Sequence, residues 1–492
     1  MNFARIPLTT LLALAATFAA RAQDARPIAF TNARLIPVAG ATIERGTLVV
    51  KNGKIEALGA DTVVPPGARV IDAKGKTILP GLVSAWSRAG LQGAAPRNDS
   101  PFQGGGRRGG RGMDMPMPMS GGGTANKAAT KVVDGLYAKQ PVFGELLRAG
   151  ITSLALTPNG GGFPGLGAVL RPDGKTLEQL TRDDDAFVQV GMVRDAATKK
   201  LLKETLEKAQ KVVDERKKPP EKPAAPPTPP GGEAKPGEAK PGDAKTEPPK
   251  GNEPPKPEPK PEPPKPEPKP EPKPEPPKPD GPRPAGGPEK PQGQAAPTKA
   301  PEAPKDPNLE VLADLLEGKR RAIVQIDSAA DFQHWQLAVA DTVTFPRTVA
   351  VLRHDTTSGT IEQVLEQVKA WKCAVLLPPD LSSLPRSRVL THPAKALHEA
   401  GIEVGFTLGE SPQQAKMLFF RLMELVRHGL PAEVALRGVT LVPAKMLGID
   451  KQAGSLEVGK DADLLIFRGD PLQPSSELET VWLGGVEVKK EP

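Results

Sequence analysis

Few residues of this chain have side chains that could bind a metal ion or transfer a proton. There are five histidines and one cysteine among the 492 residues. His334 and His428 fall within helical patterns, and His392 and His398 lie in or beside a loop, so these four are expected to be solvated or helix-end histidines. The fifth, His354, ends the strand-like run TVAVLRHD. A GxSxG nucleophile motif is missing, and the glycines of TPNGGGFPGLG match no phosphate-binding pattern.

Sulfur is the other source of reactive or ligating atoms. Met113, Met115, Met117 and Met119 alternate in RGMDMPMPM, and thioethers are soft ligands suited to Cu(I). Methionines in a loop rich in Gly, Arg and Pro need no function, however, and we predict no copper site. The single Cys373, in WKCAVLLP, rules out an intrachain disulfide and is expected in the apolar core.

The sequence predicts two kinds of folded region that would position the candidate residues. Residues 27–79 alternate apolar and polar positions over short runs, with Asn52-Gly53 as a tight hairpin turn, which predicts a small antiparallel sheet. The middle of the chain alternates helical runs, one of them at about 127–149, with short apolar strands. That alternation predicts a parallel sheet covered by helices, and the number of units favours a closed barrel. TPNGGG is then the loop after the second barrel strand, either a plain turn or a contact with a ligand at the barrel mouth.

Low-complexity stretches interrupt these regions. Residues 217–307 hold most of the 59 prolines, in runs such as PKPEPKPEPPKPEPKPEPKPEPPKPD, and are predicted to be a disordered, polyproline-like insertion. Residues 94–124 form a Gly/Arg/Met loop with the same expectation. The predicted domains are therefore a first sheet part at 23–80, a first barrel half at 81–216, a second barrel half at 308–440, and the last barrel helix with the second sheet part at 441–492.

The N-terminus predicts export. Residues 1–22 combine Arg5, an apolar run from Leu8 to Ala20 and the small-x-small pattern Ala20-Arg21-Ala22, which indicates a signal peptide. The run is shorter than the about 20 apolar residues of a permanent anchor, so no stable membrane span is expected, and the mature protein is predicted to be periplasmic or secreted. The net charge is +8, but no basic stripe with interleaved aromatics accompanies it, so nucleic-acid binding is not expected.

Both chain ends carry stretches that resemble the amidohydrolase superfamily, in its imidazolonepropionase-like branch. They are GTLVVKNGKIEALG, VIDAKGKTILPGLVSA, GLPAEVALRGVTLVPAKMLGIDKQAGSLEVGKDADLLIFRGDPL and VWLGGVEV. The resemblance implies an α/β fold, a (β/α)8 TIM-like barrel, with a small β-sandwich formed by both chain ends. It also implies an activity, the hydrolysis of non-peptide C–N bonds with a divalent metal such as zinc.

The positions that match the family's metal site carry unusual residues. In the family the first barrel strand ends PGLxDxHxH; here the aspartate falls at Ser84 and the two histidines fall at Trp86 and Arg88. Neither side chain can ligate a metal, since an indole N–H only donates and a guanidinium stays cationic. The family's fourth-strand ligand should follow the helix that ends near Lys218, where the proline-rich insertion begins instead. Gln325 and Asp327 match its next HxH pair.

Three matched positions could still ligate a metal. His354 stands where the family has a further ligand, and Glu410 in GFTLGESP lies nearest to its metal-bound aspartate. His354, Asp327 and Glu410 could hold iron or zinc in principle. We predict no metal, no cofactor and no assigned catalytic residue, and expect Arg88 to attract anions or to pair with Asp327 or Glu410. The predicted function is a non-catalytic binding or partner subunit, working as a homo-oligomer or with an intact amidohydrolase relative. The alternative is an active amidohydrolase with a rebuilt site or with residues supplied by a partner.

Overall fold

The computed structural model describes residues 26–91, 124–218, 305–339, 343–354, 357–384 and 386–489. The predicted signal peptide, the methionines of the Gly/Arg/Met loop and nearly all of the proline-rich insertion lie outside these residues.

The described residues form two large sheets and a small hairpin, flanked by helices. In chain order the strands are β1 (Ile28–Leu35), β2 (Ile43–Lys51), β3 (Lys54–Gly59), β4 (Arg69–Asp72), β5 (Thr77–Pro80), β6 (Leu82–Ser84), β7 (Ala125–Asn126), β8 (Ile151–Leu156), β9 (Gly162–Leu170), β10 (Thr181–Gly191), β11 (Ala322–Gln325), β12 (Arg347–Ala350), β13 (Val375–Leu377), β14 (Ser382–Ser383), β15 (Leu390–Thr391), β16 (Val404–Phe406), β17 (Leu464–Arg468), β18 (Glu477–Leu483) and β19 (Val486–Glu487). The helices are α1 (Pro141–Arg148), α2 (Leu177–Leu180), α3 (Ala196–Lys217), α4 (Pro307–Leu316), α5 (Ala329–Ala338), α6 (Leu365–Ala370), α7 (Pro393–Glu399), α8 (Pro412–Arg427), α9 (Ala432–Arg437) and α10 (Leu441–Leu447).

The strands from the two chain ends share one sheet. Its order is β19-β18-β17-β5-β1-β2-β3, and β4 pairs with β1. The chain ends meet where β17 runs antiparallel to β5, with Ile466 opposite Ile78. The sheet is mixed rather than antiparallel, because β1 runs parallel to both β4 and β5. The two-layered sandwich stays a prediction, since the described strands of both ends belong to this single sheet.

The second large sheet is barrel-like. Its order is β6-β8-β9-β10-β11-β12-β13-β16. The other seven strands of this order share one direction, and β9 runs antiparallel to β8 and β10. The short β7 pairs in parallel with β9. The gap between the two end strands is bridged by backbone: Phe406 N–H donates to the Gly438 carbonyl at 2.7 Å, and Val83 N–H donates to the Val439 carbonyl at 3.0 Å. A TIM-like barrel is therefore present, although the expected all-parallel arrangement is wrong at β9.

Local sequence explains where the predicted elements fail. The helix expected at about 127–149 is instead a 3-10 turn at Val132–Gly135 followed by α1. Gln140 is extended, as a residue before proline usually is, and Pro141 then starts α1 at the position where its missing N–H costs nothing. The loop predicted at TPNGGG lies between β8 and β9, and only its last glycine, Gly162, belongs to β9. The strand β9 has no clear sequence signal because GGGFPGLG is rich in residues that weaken strands. Of the described helices, none is long and apolar enough to cross a membrane.

The barrel interior is filled by apolar side chains. A cluster of buried residues there includes Val83 from β6, Ala155 from β8, Phe187 from β10 and Ile323 from β11, with Trp86 among them. Phe187 lies so close over Gly167 of β9 that a Cβ on that glycine would approach its ring to 2.1 Å. The barrel is therefore a packed core that ends, at the side where the parallel strands finish, beneath Trp86.

Candidate active-site mouth

All six residues predicted from the resemblance lie at one end of the barrel. Trp86 and Arg88 follow β6, Gln325 ends β11 and Asp327 follows it, while His354 and Glu410 follow β12 and β16. Because these strands are parallel, their carboxyl ends meet at the same face. The structure thus places the six at the barrel mouth in three separate groups: Trp86 and Arg88 with Glu410, Gln325 with Asp327, and His354.

The turn that carries Trp86 and Arg88 is fixed by local hydrogen bonds. The Ser84 hydroxyl donates to the carbonyl of Trp86 at 3.0 Å, and Thr157 N–H, after β8, donates to the carbonyl of Ser87 at 2.8 Å. The Trp86 side chain is only 4% exposed and packs on the barrel-interior cluster. The guanidinium carbon of Arg88 lies 5.8 Å from the centre of the Trp86 ring. The indole therefore closes the barrel interior from above, with a cationic group beside it.

A cleft opens above this turn, and we call it the Trp86 cleft. Its volume is about 400 Å³. Its lining residues come from the turn after β6, the start of α1, the segment after β12, and the loop after β16 with the first turn of α8: Trp86, Arg88, Ala89, Gly90, Leu91, Gln140, Val142, Leu352, Thr407, Gly409, Glu410, Ser411, Pro412 and Gln414. Arg88 and Glu410, of opposite charge, therefore face one space.

The position of Glu410 follows from the start of α8. Gly409 has a φ of +87°, and a Cβ there would approach the Cβ of Gln414 to 2.4 Å, so glycine is needed for the chain to turn from β16 into the helix. Ser411 and Gln414 form a capping box, and the Gln414 side-chain oxygen also accepts the backbone N–H of Glu410 at 2.8 Å. The Glu410 backbone is thus held in place while its side chain is exposed.

Asp327 forms hydrogen bonds that stabilise the barrel rim. Its Oδ1 accepts the backbone N–H of Leu352 at 2.8 Å, and its Oδ2 accepts the Gln325 Nε2 donor at 3.0 Å. The Arg353 guanidinium lies 3.8 Å away. Burial raises the pKa of Asp327 above its usual range, and the hydrogen bonds from Leu352 and Gln325 oppose that rise. Arg353 is therefore the cationic neighbour of Asp327.

His354 faces a second, neighbouring space, the His354 cleft. This cleft has a volume of about 260 Å³ and is also lined by Arg353, Asp380 and Arg421. Burial lowers the pKa of His354, against the effect of the nearby Asp380. Arg421 Nη1 donates to both carboxylate oxygens of Asp380, at 3.0 and 2.9 Å. The two clefts share Leu352, Thr407, Gly409 and Gln414 as their common boundary.

The mouth residues do not fit the metal site that the resemblance implies. Among the residues that the structure describes, no three His, Cys, Asp or Glu side chains lie together so that they could hold a metal ion. His354, Asp327 and Glu410 therefore do not form the rebuilt site considered above. The two histidine positions are held by an indole that packs on the core and by a guanidinium, neither of which ligates metals. Cys373 offers no substitute, because burial raises the pKa of its thiol to about 11.

The remaining four histidines lie in helices or at helix ends. His334 lies in α5 and His428 ends α8, as predicted. His392 caps α7: its Nδ1 accepts the N–H of Lys395 at 3.1 Å. His398 lies in the last turn of α7, beside the turn that follows the helix.

Sequence reasoning missed four residues of the mouth. Gln140 reaches it from the loop before α1 and donates from Nε2 to the carbonyl of Gly90 at 2.5 Å. Gln414 could have been found, since S-x-x-Q after a strand is a helix-start signature. Asp380 and Arg421 carried no sequence signal, because their contact joins segments 41 residues apart.

Comparison with known proteins agrees with this architecture. The model of a family described as "Amidohydrolase family" matches residues 325–488. The imidazolonepropionase of Pseudomonas entomophila (strain L48) is 34% identical over 129 residues, which are 26% of this chain and 31% of that protein. The imidazolonepropionase of Sphingopyxis alaskensis is 34% identical over 120 residues, 23% of this chain and 29% of that protein. The match thus spans about a third of the length of these curated relatives.

A solved structure extends the similarity of the fold over most of the chain. The crystal structure of an amidohydrolase from Thermotoga maritima MSB8 superposes with a TM-score of 0.63 at 19% identity, covering 94% of this chain and 100% of that one. At this identity the likeness concerns the fold alone.

Proposed function

The chain belongs to the amidohydrolase superfamily, and from this premise we propose that it is a non-hydrolytic member whose barrel mouth binds a ligand or partner. The resemblance implies that hydrolysis in this superfamily uses a metal. Such a metal lowers the pKa of bound water and so creates a nucleophile. The proposal depends on whether this mouth can still supply such a nucleophile.

The observation that carries the proposal is the position of Trp86. Its ring is 4% exposed and belongs to the apolar cluster inside the barrel, so the space beneath the mouth is filled by carbon. Arg88, which follows on the same turn, adds a positive charge that would repel a divalent cation. To bind a metal at this place, the protein would have to lose the packing of the Trp86 ring and neutralise the positive charge of Arg88.

The other polar groups support the same conclusion. A hydrolase needs a nucleophile and a proton acceptor that meet at one substrate. Here the Asp327 carboxylate is occupied by the Leu352 N–H and the Gln325 amide, and Glu410 and His354 lie in different clefts. The carboxylates and the imidazole are thus distributed around the mouth rather than focused on one point.

A turnover assay tests this proposal. The protein without residues 1–22 should be incubated with zinc and a panel of cyclic and acyclic amides, and the products followed by mass spectrometry. We expect no turnover above the rate in buffer. Turnover that disappears in the His354→Ala variant would contradict the proposal and restore a hydrolase.

We also propose that the protein acts outside the cytoplasm, because residues 1–22 have the charge, apolar run and small-x-small pattern of a signal peptide. Cell fractionation with an antibody to the mature chain tests this point, and full retention in the cytoplasm would refute it. The association that we propose, with a second copy or with an intact amidohydrolase relative, is tested by mass photometry of the protein purified from its native cells.

A further inference from the structure

We propose that the barrel face opposite the mouth binds a phosphate monoester group, in a cleft that we call the Arg347 cleft. This cleft has a volume of about 380 Å³ and lies where β11, β12 and β13 begin. It shares no lining residue with the two clefts of the mouth. The inference therefore goes beyond the proposed function and does not depend on it.

The first argument is the excess of positive charge in this cleft. Its lining contains six cationic residues and one acidic residue: Lys319, Arg320, Arg321, Arg347, Lys372, Lys445 and Glu403. Three of the cations form ion pairs with carboxylates: Lys319, Arg320 and Lys445. Among the described residues, no carboxylate forms an ion pair with the other three: Arg321, Arg347 and Lys372. The cleft thus has three cations whose charge an anionic ligand could neutralise.

The second argument is that the barrel strands bring these three cations together. Ala322 of β11 lies opposite Arg347 of β12, so Arg321 is one residue away from that pair. The strand β13 pairs with β12 on its other side, and Lys372 lies in the turn that leads into β13. Adjacent strands lie about 4.8 Å apart. The three side chains therefore start from neighbouring positions along one edge of the barrel.

The third argument is the setting of Arg347. Its guanidinium carbon lies 4.3 Å from the centre of the Phe345 ring and 4.8 Å from that of Trp371. Its Nε donates to the carbonyl of Phe345 and its Nη2 to the carbonyl of Val343, each at 3.2 Å. Burial lowers the pKa of Arg347, because a charge is costly away from water. The guanidinium is thus held by rings and carbonyls, which leave its Nη1 to an anion.

The other two cations are positioned by helix ends. Arg321 Nη1 donates to the carbonyl of Lys445 at 3.1 Å, in the last turn of α10, and a Cβ on Gly448 would collide with this guanidinium. Lys372 directly follows the C-cap of α6 with a φ of +51°, at a position where glycine is usual. Groups fixed before binding lose less entropy when a ligand arrives.

The number of cations favours a phosphate monoester over a carboxylate. A phosphate monoester carries up to about two negative charges at neutral pH and has three acceptor oxygens, so it can bind three separate cations. A carboxylate has two coplanar oxygens and is matched by a single guanidinium. The volume of about 380 Å³ suits a small phosphorylated molecule or the headgroup of a phospholipid.

The test compares both sources of this group with a carboxylate. Glycerol 3-phosphate and succinate, which carry similar charge, are titrated by calorimetry at neutral pH. Vesicles of phosphatidylcholine with and without phosphatidic acid, whose headgroup is a phosphate monoester, are tested by flotation. We expect glycerol 3-phosphate, phosphatidic acid or both to bind, and succinate to bind at least about 10-fold more weakly than glycerol 3-phosphate.

Variants of two of the cations locate the site. Arg347→Gln should weaken the binding of the phosphate monoester by about 10- to 100-fold, and Lys372→Gln should weaken it by about 3- to 10-fold. Lys416→Gln is the matched control, since it removes an exposed lysine near the start of α8, on the mouth side, and should leave the affinity unchanged. If Arg347→Gln fails to fold, Lys372→Gln still decides, because Lys372 is exposed.

Three results would overturn the site. The first is that the unaltered protein binds neither millimolar glycerol 3-phosphate nor phosphatidic acid vesicles. The second is that succinate binds as tightly as glycerol 3-phosphate, and the third is that Lys416→Gln weakens binding as much as Lys372→Gln. Binding of only one of the two phosphate probes, lost in the cleft variants, would support the site and identify its source as a soluble molecule or a lipid.

Discussion

The carboxylate of Asp327 accepts the backbone N–H of Leu352 at 2.8 Å. Asp327 follows β11 and Leu352 follows β12, so this bond ties together the ends of two adjacent barrel strands. The bond gives Asp327 a structural role. An acidic residue at this position, which matches a metal-ligand position of the family, is therefore explained without a metal.

Replacement of Asp327 separates the roles of its oxygen and its charge. Asp327→Asn keeps an oxygen for the Leu352 N–H, and Gln325 can turn its amide to match. Asp327→Ala leaves that N–H without its acceptor and should cost about 1–3 kcal/mol in the free energy of unfolding. The asparagine variant should be at least as stable as the unaltered protein at pH 7, measured by urea unfolding; a loss equal to that of the alanine variant would contradict this role.

The same pair gives a pH dependence. The pKa of folded Asp327 is raised by burial above its usual 3.8, so between 3.8 and the raised value the folded protein binds more protons than the unfolded chain. This contribution to stability is therefore lost as pH rises through that window and is constant above it. The stability of the unaltered protein minus that of Asp327→Asn should fall with rising pH there. A difference that rises, or stays flat from pH 3.8 upward, would be incompatible with the raised pKa.

Trp86 is expected to stabilise the barrel. Its side chain is 4% exposed and packs on the interior cluster, so Trp86→Ala should cost about 3–5 kcal/mol. Trp86→Phe should retain much of the stability because it keeps an aromatic ring. Leu337→Ala serves as a control, since Leu337 is 77% exposed, and should have little effect. Chemical denaturation that finds Trp86→Ala as stable as the control would show that the indole does not fill the barrel end.

A partly buried ion pair connects the barrel to the terminal sheet. Arg171, after β9, donates to Asp463, before β17, at 2.7 Å, and the Asp463 side chain is 4% exposed. Burial raises the pKa of Asp463, and Arg171 opposes that rise. Arg171→Ala should cost up to about 3–5 kcal/mol, because the buried carboxylate of Asp463 loses its ion-pair partner and keeps the Gly484 N–H, at 2.8 Å, as a hydrogen-bond donor. The double variant Arg171→Ala with Asp463→Asn should recover part of that loss.

An exposed pair is the control for this double-variant cycle. Lys51 and Glu56 lie 3.3 Å apart with side chains 45% and 41% exposed, and Lys51→Ala should cost no more than about 1 kcal/mol. If Arg171→Ala costs as little as Lys51→Ala, the Arg171–Asp463 pair does not stabilise the contact between the two sheets.

The proline-rich insertion should be dispensable for folding. It separates α3 from α4, and these helices are joined by Arg216, which contacts Glu310, Asp314 and Glu317. Replacing residues 219–304 with a Gly/Ser linker of about ten residues should shift the melting temperature by no more than about 4 °C, since loop length affects stability only weakly. An insertion of equal length and shuffled sequence is the control. Failure of the shortened chain to fold would show that the segment is structural.

Elements with a strong local signal were predictable from the sequence. The strand Ile151–Leu156 is buried at every position, and α3 begins directly after its N-cap Asp195, whose carboxylate accepts the N–H of Thr198. The direction of β9 was not predictable, because its glycines fit Phe187 and neighbouring backbone only in the folded barrel. At the mouth, the resemblance indicated Trp86 and Arg88, whereas the partnership of Gln140 with Gly90 depends on contacts 50 residues apart in sequence.

The metal content of the purified protein tests the central claim most directly. The chain without residues 1–22 should be exposed to zinc, iron and manganese, freed of unbound ions and analysed by inductively coupled plasma mass spectrometry. The double variant Trp86→His with Arg88→His is the matched comparison and should remain inactive, because a nucleophile and a proton acceptor are still not assembled. We predict far less than one metal per unaltered chain. One tightly held metal per chain, lost in His354→Ala, would contradict the account.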